Sequence, residues 1–438
     1  MQWNERLWQQ SQQQLAQFLI PLVEVLGRSE RRVAATRYVE GLLLPGQRKS
    51  IAPMSERLGV DPQSLQQFVS DSPWAECELW SAIRREVIPS LGPIESWVVD
   101  ETGWLKQGGH SVGVSPQYCG SVGKQANCQV SVELVVSDGM VAAPVGGRLY
   151  LPQKWTADPQ RCAAAGVPKE VPFATKPEIA VALLEEAVQD GVDPGPVLAD
   201  SAYGDSSEFR AELRRLKLEF FVQVTGSAHK GWTSRVPTER KFKRRYVTAS
   251  APASQTLAQI VADLPDSAWQ HCSWKAADGQ TRRTRLTWIE VCLAHGLRET
   301  GGELEKVWLV VDWPQGEEQP YHYYLAELKG HPTKARCLKL SRSRWHIEQY
   351  FQRSKDDLGL DHFEGRSWRG FHHHLALSAV AYLFILVVYL RAKKNFWSDV
   401  GTGVESDSPV AGEINRLLLL CQRSVKTSRR GSNENRPL

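Results

Sequence analysis

The sequence predicts an α/β fold in which a mixed sheet carrying helices on its faces is interrupted by a β-rich insertion and preceded by a helical region. Three observations lead there. Up to about residue 92 the apolar residues recur at helical spacing, and no β-alternation appears before Trp97. From Trp97 three strand-like runs are followed by alternating helices and strands as far as Val224. Between 226 and 335 short β-like pieces replace that alternation, and helical periodicity returns at Leu338.

The composition suits a packed protein. With 42% hydrophobic and 23% charged residues over 438 positions, the chain can bury a sizeable core, which excludes a disordered tail and a disulfide-rich mini-protein. The 53 Lys and Arg against 49 Asp and Glu leave a formal charge of +4, too diffuse to point to nucleic acid unless the charges cluster. Eight cysteines form no CxxC pair and no Cys/His zinc spacing, so free thiols in a reducing cytosol are expected. The N-terminal residues show no basic stretch followed by an apolar run and a cleavage site, and a cytoplasmic location is expected. Leu375 to Leu390 is almost wholly apolar but falls short of the roughly 20 residues a bilayer span needs, so it reads as a buried core helix, with no membrane partner.

Taken in order, residues 1–92 form the helical region. Within it Ser50 to Phe68 reads as a short helix, a turn at Gly59, and a second helix with Asp61 as N-cap and Pro62 as first residue. That is helix-turn-helix punctuation, preceded by Arg31, Arg32, Arg37, Arg48 and Lys49. A packing hairpin would look the same. Residues 93–225 hold the first part of the core. Its strands are Trp97 to Asp100, Asn127 to Val136 and Met140 to Leu151, then a helix Pro177 to Asp190, a strand Val197 to Asp200, a helix Ser206 to Lys217 and a strand Glu219 to Val224. The insertion, 226–335, carries β-like pieces at Arg245 to Thr248, Thr284 to Ala294, Lys306 to Asp312 and Tyr321 to Ala326. Residues 336–392 return to helix and complete the core, and 393–438 form a C-terminal helical and basic tail with Arg423, Lys426, Arg429 and Arg430.

Asp100 and Asp200 each close a short apolar run, VVD and VLAD, where a carboxylate is projected from a sheet edge into a cleft. Hard divalent cations take oxygen ligands, and two or three carboxylates with a substrate phosphate make such a site. Strand-end Asp also forms turns, and Asp312 fits the same local pattern. In the segment around Glu348, Arg344, Glu348 and Lys355 fall within about 40° of one another on a helix, beside an apolar face of Ile347, Phe351 and Leu358. A strip of cation, anion and cation suits phosphodiester chemistry; an ordinary solvated ion pair would have the same spacing.

Together VVDETG at Asp100, LADSAYG at Asp200 and WHIEQYFQRSKDDLGLDHFEGRSW around Glu348 resemble the three signature regions of bacterial insertion-sequence DDE transposases, of the cut-and-paste group with a β-strand insertion. The separations of 100 and 148 residues leave room for that insertion. Arg344, Glu348 and Lys355 occupy their places in the Tyr-x2-Arg-x3-Glu-x6-Lys signature, whereas Ser341 stands where Tyr is expected. The resemblance implies an RNase H-like core in which Asp100, Asp200 and Glu348 bind two Mg²⁺ ions, with Mn²⁺ able to substitute. It further implies cleavage at terminal inverted repeats, joining of 3′-hydroxyls to target DNA, and a homodimer in a synaptic complex, nucleoid-associated when bound to double-stranded DNA. A catalytically silent DNA-binding descendant, or an RNase H-like nuclease without strand transfer, is the alternative.

Further basic residues are candidates for DNA contact. Lys230 to Arg245 holds seven Lys and Arg, with Trp232 and Phe242 interleaved. Lys230, Arg240, Lys241, Lys243, Arg244 and Arg245 are the named candidates there, with Arg48 and Lys49 in the helical region and Arg344 and Lys355 beside Glu348. Arg282, Arg283 and Arg285 form a smaller cluster. His372, His373 and His374 point in different directions on a helix, which disfavours one shared ion and leaves a polar helix start or backbone contacts to DNA. Glu101 is expected to face away from Asp100 across the strand.

Overall fold

The computed structural model of the chain describes residues 5–233, 253–275, 280–294 and 305–400. The first ninety residues hold helices α1 (Glu5–Val23), α2 (Ser29–Leu43), α3 (Ile51–Leu58), α4 (Pro62–Ser70) and α5 (Glu76–Ala82). The turn between α3 and α4 is built as its residues dictate. Gly59 ends α3 with a left-handed φ of 64°, a conformation that a residue without Cβ adopts at little cost. Asp61 then caps α4 by accepting from the Gln63 N–H at 3.1 Å, and Pro62, which has no N–H to leave orphaned, takes the first helical position. Leu65, Phe68 and Val69 line the buried side of α4, which packs against α2, α3 and a long C-terminal helix.

Strands β1 (Ser96–Leu105), β2 (Ser115–Cys119), β3 (Lys124–Ser137) and β4 (Ala142–Tyr150) form an antiparallel unit in which β3 pairs with each of the others. Helices α6 (Gln153–Thr156), α7 (Pro159–Ala164) and α8 (Lys176–Gln189) follow, α8 opening with a capping box between Thr175 and Glu178. Then come β5 (Val197–Ala199), α9 (Ser201–Gly204), α10 (Ser207–Arg215) and β6 (Phe220–Val224), with β5 parallel to β1 and β6 parallel to β5. This is the mixed α/β sheet that the sequence predicts. Asp100 departs from expectation in one respect. It lies in the middle of β1, because pairing with β3 continues to Leu105 while pairing with β5 stops at Val98.

The segment after β6 contributes β7 (Lys230–Trp232), β8 (Gln255–Thr256), α11 (Leu257–Ala262), β9 (Gln270–Lys275), β10 (Thr281–Leu293), β11 (Glu305–Pro314) and β12 (His322–Glu327). Its strands do not stand apart from the core. β12 pairs antiparallel with β6, Tyr323 opposite Val224, so the sheet runs on in the order β2-β3-β1-β5-β6-β12-β11-β10-β7-β8, with β4 on β3 and β9 on β10. The strand expected at Arg245 to Thr248 lies outside the described residues.

The chain ends its described part with α12 (Lys334–Ser343), α13 (Trp345–Asp356) and α14 (Trp368–Val400). By length and composition Trp368–Ala392 could cross a membrane, yet most of it is buried here, packed on β4, α2 and α4. The basic tail around 423–430 lies outside the described residues. The three histidines lie near the start of α14 but are buried, which overturns their reading as contacts to the DNA backbone. His372 accepts from the Leu149 N–H at 3.2 Å on β4. His373 stacks on Trp74 at 3.6 Å and places its two ring nitrogens 2.9 Å from the carbonyls of Val69 and Trp74. His374 lies 2.8 Å from the Tyr38 hydroxyl of α2 and 3.0 Å from the Leu360 carbonyl behind α13.

Candidate active site

Asp100 is brought forward by the rigid middle of the sheet, where Trp97, Val98 and Val99 are fully buried between helices. Asp200 follows β5, whose partner is the same β1, and there it serves as N-cap of α9, accepting from the Ala202 N–H at 2.9 Å. Glu348 comes from α13, which packs on β1 and β4. Arg344, one turn before Glu348, joins them: its guanidinium lies 2.7 Å from the Asp100 carboxylate and 2.8 Å from that of Glu348. Two carboxylates 248 positions apart in sequence thus share one cation.

The electrostatics follow from burial and from crowding of like charge. Burial pushes the Asp100 carboxyl up to about 7, against the pull of Arg344 and with the push of Asp200 and Glu101. Asp200 is raised too, by burial and then by Glu101. Burial works against the charge of Arg344, but Asp100, Glu348 and Asp200 outweigh it and hold the guanidinium firmly protonated. The Glu101 charge is felt by both Asp100 and Asp200, although its own partners lie on α8 and α9 and not on α13. The Glu101 carboxylate accepts from Lys176 Nζ and from the Tyr203 hydroxyl, each at 2.6 Å.

One further group went unread in the sequence. Glu133 on β3 is fully buried opposite Asp100 and accepts from Ser131 and from the Tyr350 hydroxyl, both at 2.8 Å, so it anchors α13 to the sheet two residues from Glu348. Burial lifts its carboxyl to about 7 despite those two donors. The signal was there: a Glu inside VSVELVV is a charge within an otherwise apolar strand.

Of the basic candidates, Arg344 alone is joined to the carboxylates among the described residues. Lys355 turns back to the sheet and donates to the Gly103 carbonyl at 2.7 Å, its pKa lowered by burial. Lys49 is 4% exposed and donates to the carbonyls of Leu42 and Leu44, so its charge is spent inside the helical region and is not offered to a phosphate. Arg48 is exposed and paired with Glu364 at 2.6 Å. Lys230 is exposed on β7, six strand spacings from β1, or roughly 30 Å across the sheet. Arg240, Lys241, Lys243, Arg244 and Arg245 lie outside the described residues. Ser341, at the place of the expected Tyr, donates to the Leu338 carbonyl at 3.0 Å and lines a cleft beside Glu348 with Phe221, Gln223, Tyr324 and Trp345.

The family described as DDE superfamily endonuclease matches residues 21–283, more than half of the chain and a span that includes Asp100 and Asp200. The chain belongs to the DDE endonuclease superfamily. A probable transposase for insertion sequence element IS701 from Microchaete diplosiphon is 26% identical over 351 residues, covering 72% of this chain and 88% of that protein. The resemblance to insertion-sequence DDE transposases is thereby borne out, and the mixed sheet centred on β1 is the RNase H-like core that this superfamily implies. DDE enzymes generally use divalent metal ions. As they stand, no three His, Cys, Asp or Glu side chains among the described residues are gathered closely enough to hold one ion. The Arg344 guanidinium lies between Asp100 and Glu348 instead. The donor set nonetheless suits a hard cation, since Asp100, Glu101, Asp200 and Glu348 present four carboxylates to the two cations Arg344 and Lys176.

Proposed function

We propose that this chain is a DNA transposase that binds the terminal inverted repeats of an insertion sequence, cleaves its ends and joins the 3′-hydroxyls to target DNA. The observation that carries the reading is the convergence of Asp100 and Glu348 on Arg344, beside Asp200, in a member of the DDE endonuclease superfamily. Asp100, Asp200 and Glu348 would hold two divalent ions, Mg²⁺ or in its place Mn²⁺. Such ions lower the pKa of an attacking water or 3′-hydroxyl and stabilise the leaving oxygen of an in-line displacement at phosphorus.

The chain's own residues supply the frame. The Glu133–Tyr350 bond fixes the height of α13 on the sheet, and Lys355 ties the far end of that helix to Gly103 of β1. Arg344 bridges the Asp100 and Glu348 carboxylates in the free protein and would meet a phosphate oxygen when substrate arrives. Two ends must be brought together for cut-and-paste transposition, so a homodimer in a synaptic complex, acting in the cytoplasm on nucleoid DNA, belongs to the same proposal.

The test incubates purified protein with DNA from both flanks of its own gene, with Mg²⁺, with Mn²⁺ and with chelator. Metal-dependent breaks at an inverted repeat, followed by joined products, are expected. Asp100→Asn, Asp200→Asn and Glu348→Gln should abolish cleavage while DNA binding persists; retained cleavage in any of them sinks the site. Binding without nicking would replace the proposal by a silent descendant, and nicking without joining by a simple nuclease.

A further inference from the structure

The helical region offers a surface that the catalytic site does not use. Around α4 the residues divide cleanly by angle: Leu65, Phe68 and Val69 are buried, while Gln63, Ser64, Gln66 and Gln67 are exposed on the opposite side. None of those four is charged or apolar, so the face has no hydrophobic anchor of the kind that protein partners bury. Each can both donate and accept hydrogen bonds, and a glutamine amide matches the N6 and N7 edge of adenine in the major groove.

The flank of this face is basic. A cleft between α4 and the start of α2 is lined by Ser64 and Gln67 on one side and by Arg28 and Arg31 on the other, with Glu30 and Asp71 also at its rim. Arg28 and Arg32 are exposed, and Arg32 is tethered through its Nε to the Gly27 carbonyl at 2.9 Å, which holds its guanidinium near the start of α2. Hydrogen-bonding side chains in the middle and guanidinium groups beside them match the two classes of contact that duplex DNA requires, base edges and phosphates. The α3-turn-α4 geometry, with α4 second and its polar face exposed, is the arrangement in which the second helix enters the groove.

We propose that α4 is the sequence-reading helix of this chain, with Gln63, Ser64, Gln66 and Gln67 contacting base edges, the glutamines at A·T pairs, and Arg28, Arg31 and Arg32 holding adjacent phosphates. This rests on the reading of the chain as a transposase acting at defined element ends. Two variants separate the roles, Gln63→Ala with Gln67→Ala, and Arg28→Ala with Arg32→Ala, all at exposed positions distant from the carboxylates. Each is titrated with a duplex from the element end and with a scrambled duplex of equal length, over a salt series.

The glutamine variant should lose roughly ten- to hundredfold in affinity for the end while its affinity for scrambled DNA and its salt slope stay at wild-type values. The arginine variant should weaken on both duplexes and flatten the slope of log K against log salt by about two. A glutamine variant that discriminates as well as wild type overturns the assignment of α4 and leaves the proposed function standing. Wild-type protein that fails to distinguish the two duplexes overturns both.

Discussion

Acidification should loosen the attachment of α14 through His374, whose ring is wholly buried between α2 and the loop behind α13. Its neutral form satisfies both neighbours, with Nε2–H donating to the Leu360 carbonyl and Nδ1 accepting from the Tyr38 hydroxyl. A proton on Nδ1 would replace that acceptor by a donor at a fully buried position. Burial accordingly drives the pKa down from 6.5 to about 4, with the Leu360 carbonyl opposing and Lys106 assisting. The unfolded chain takes up this proton below its ordinary pKa and the folded chain does not until about 4, so stability is complete above 6.5 and drains away as pH falls between those values. At about 1.4 kcal/mol for each pH unit, moving from pH 7 to pH 5 removes about 2 kcal/mol through this one ring. The measurement is urea denaturation of wild type and His374→Gln at a series of pH values, taking the difference between the two proteins so that other titrating groups cancel. The variant should be less stable at pH 7 but lose less on going to pH 5. Parallel curves for the two proteins would refute the reasoning.

Other perturbations have equally definite outcomes. Arg344→Ala removes charge-assisted bonds worth roughly 1.5–3 kcal/mol, so cleavage should drop about ten- to hundredfold, and its rise with pH should move upward because Asp100 loses the cation that holds its pKa down; an unchanged pH profile counts against the site. Arg210→Ala strips the fully buried bidentate partner from Glu305 and leaves it only the single contact from Arg214, so thermal unfolding should show a loss of about 3 kcal/mol, the low end for a broken buried pair. In Gly103→Ala the new Cβ overlaps the Cys119 sulfur, so about 1–3 kcal/mol should be lost in chemical denaturation and largely recovered when Cys119→Ala is added.

What was legible in the sequence was what depends on neighbours in the chain. The Gly59, Asp61 and Pro62 signals are local capping chemistry, and they mark where α3 ends and α4 begins. The apolar runs before Asp100 and Asp200 are likewise local, and they led to the sheet. What was not legible depends on partners far away. The extension of β1 beyond Asp100 needs β3, and the joining of the inserted strands to the core needs the β12 to β6 ladder, neither of which has a local signature. β2, with its proline and polar residues, lacks a strand pattern and exists by pairing with β3. Lys49 looked like one more basic group beside Arg48, and its sequence could not tell that the ammonium turns inward to two carbonyls. Simple alternation separates Glu101 from Asp100, and their partners do differ, Arg344 of α13 for Asp100 and Lys176 of α8 with Tyr203 of α9 for Glu101, but alternation gives no sign that the Glu101 charge still reaches Asp100 and Asp200.

The three buried histidines have a consequence for scale. Through His373 the end of α4 is fastened to α14, through His372 α14 is fastened to β4, and through His374 to the loop behind the Glu348 helix. The helix proposed to read sequence and the carboxylates proposed to cut are then two marks on one stiff ruler. One extra base pair between the read sequence and the cut shifts the target phosphate by about 3.4 Å along the duplex and about 34° around it. A mismatch of that size exceeds the tolerance of catalytic geometry, where about 1 Å of misplacement already costs on the order of a hundredfold. Spacing, as much as sequence, would then define an acceptable end.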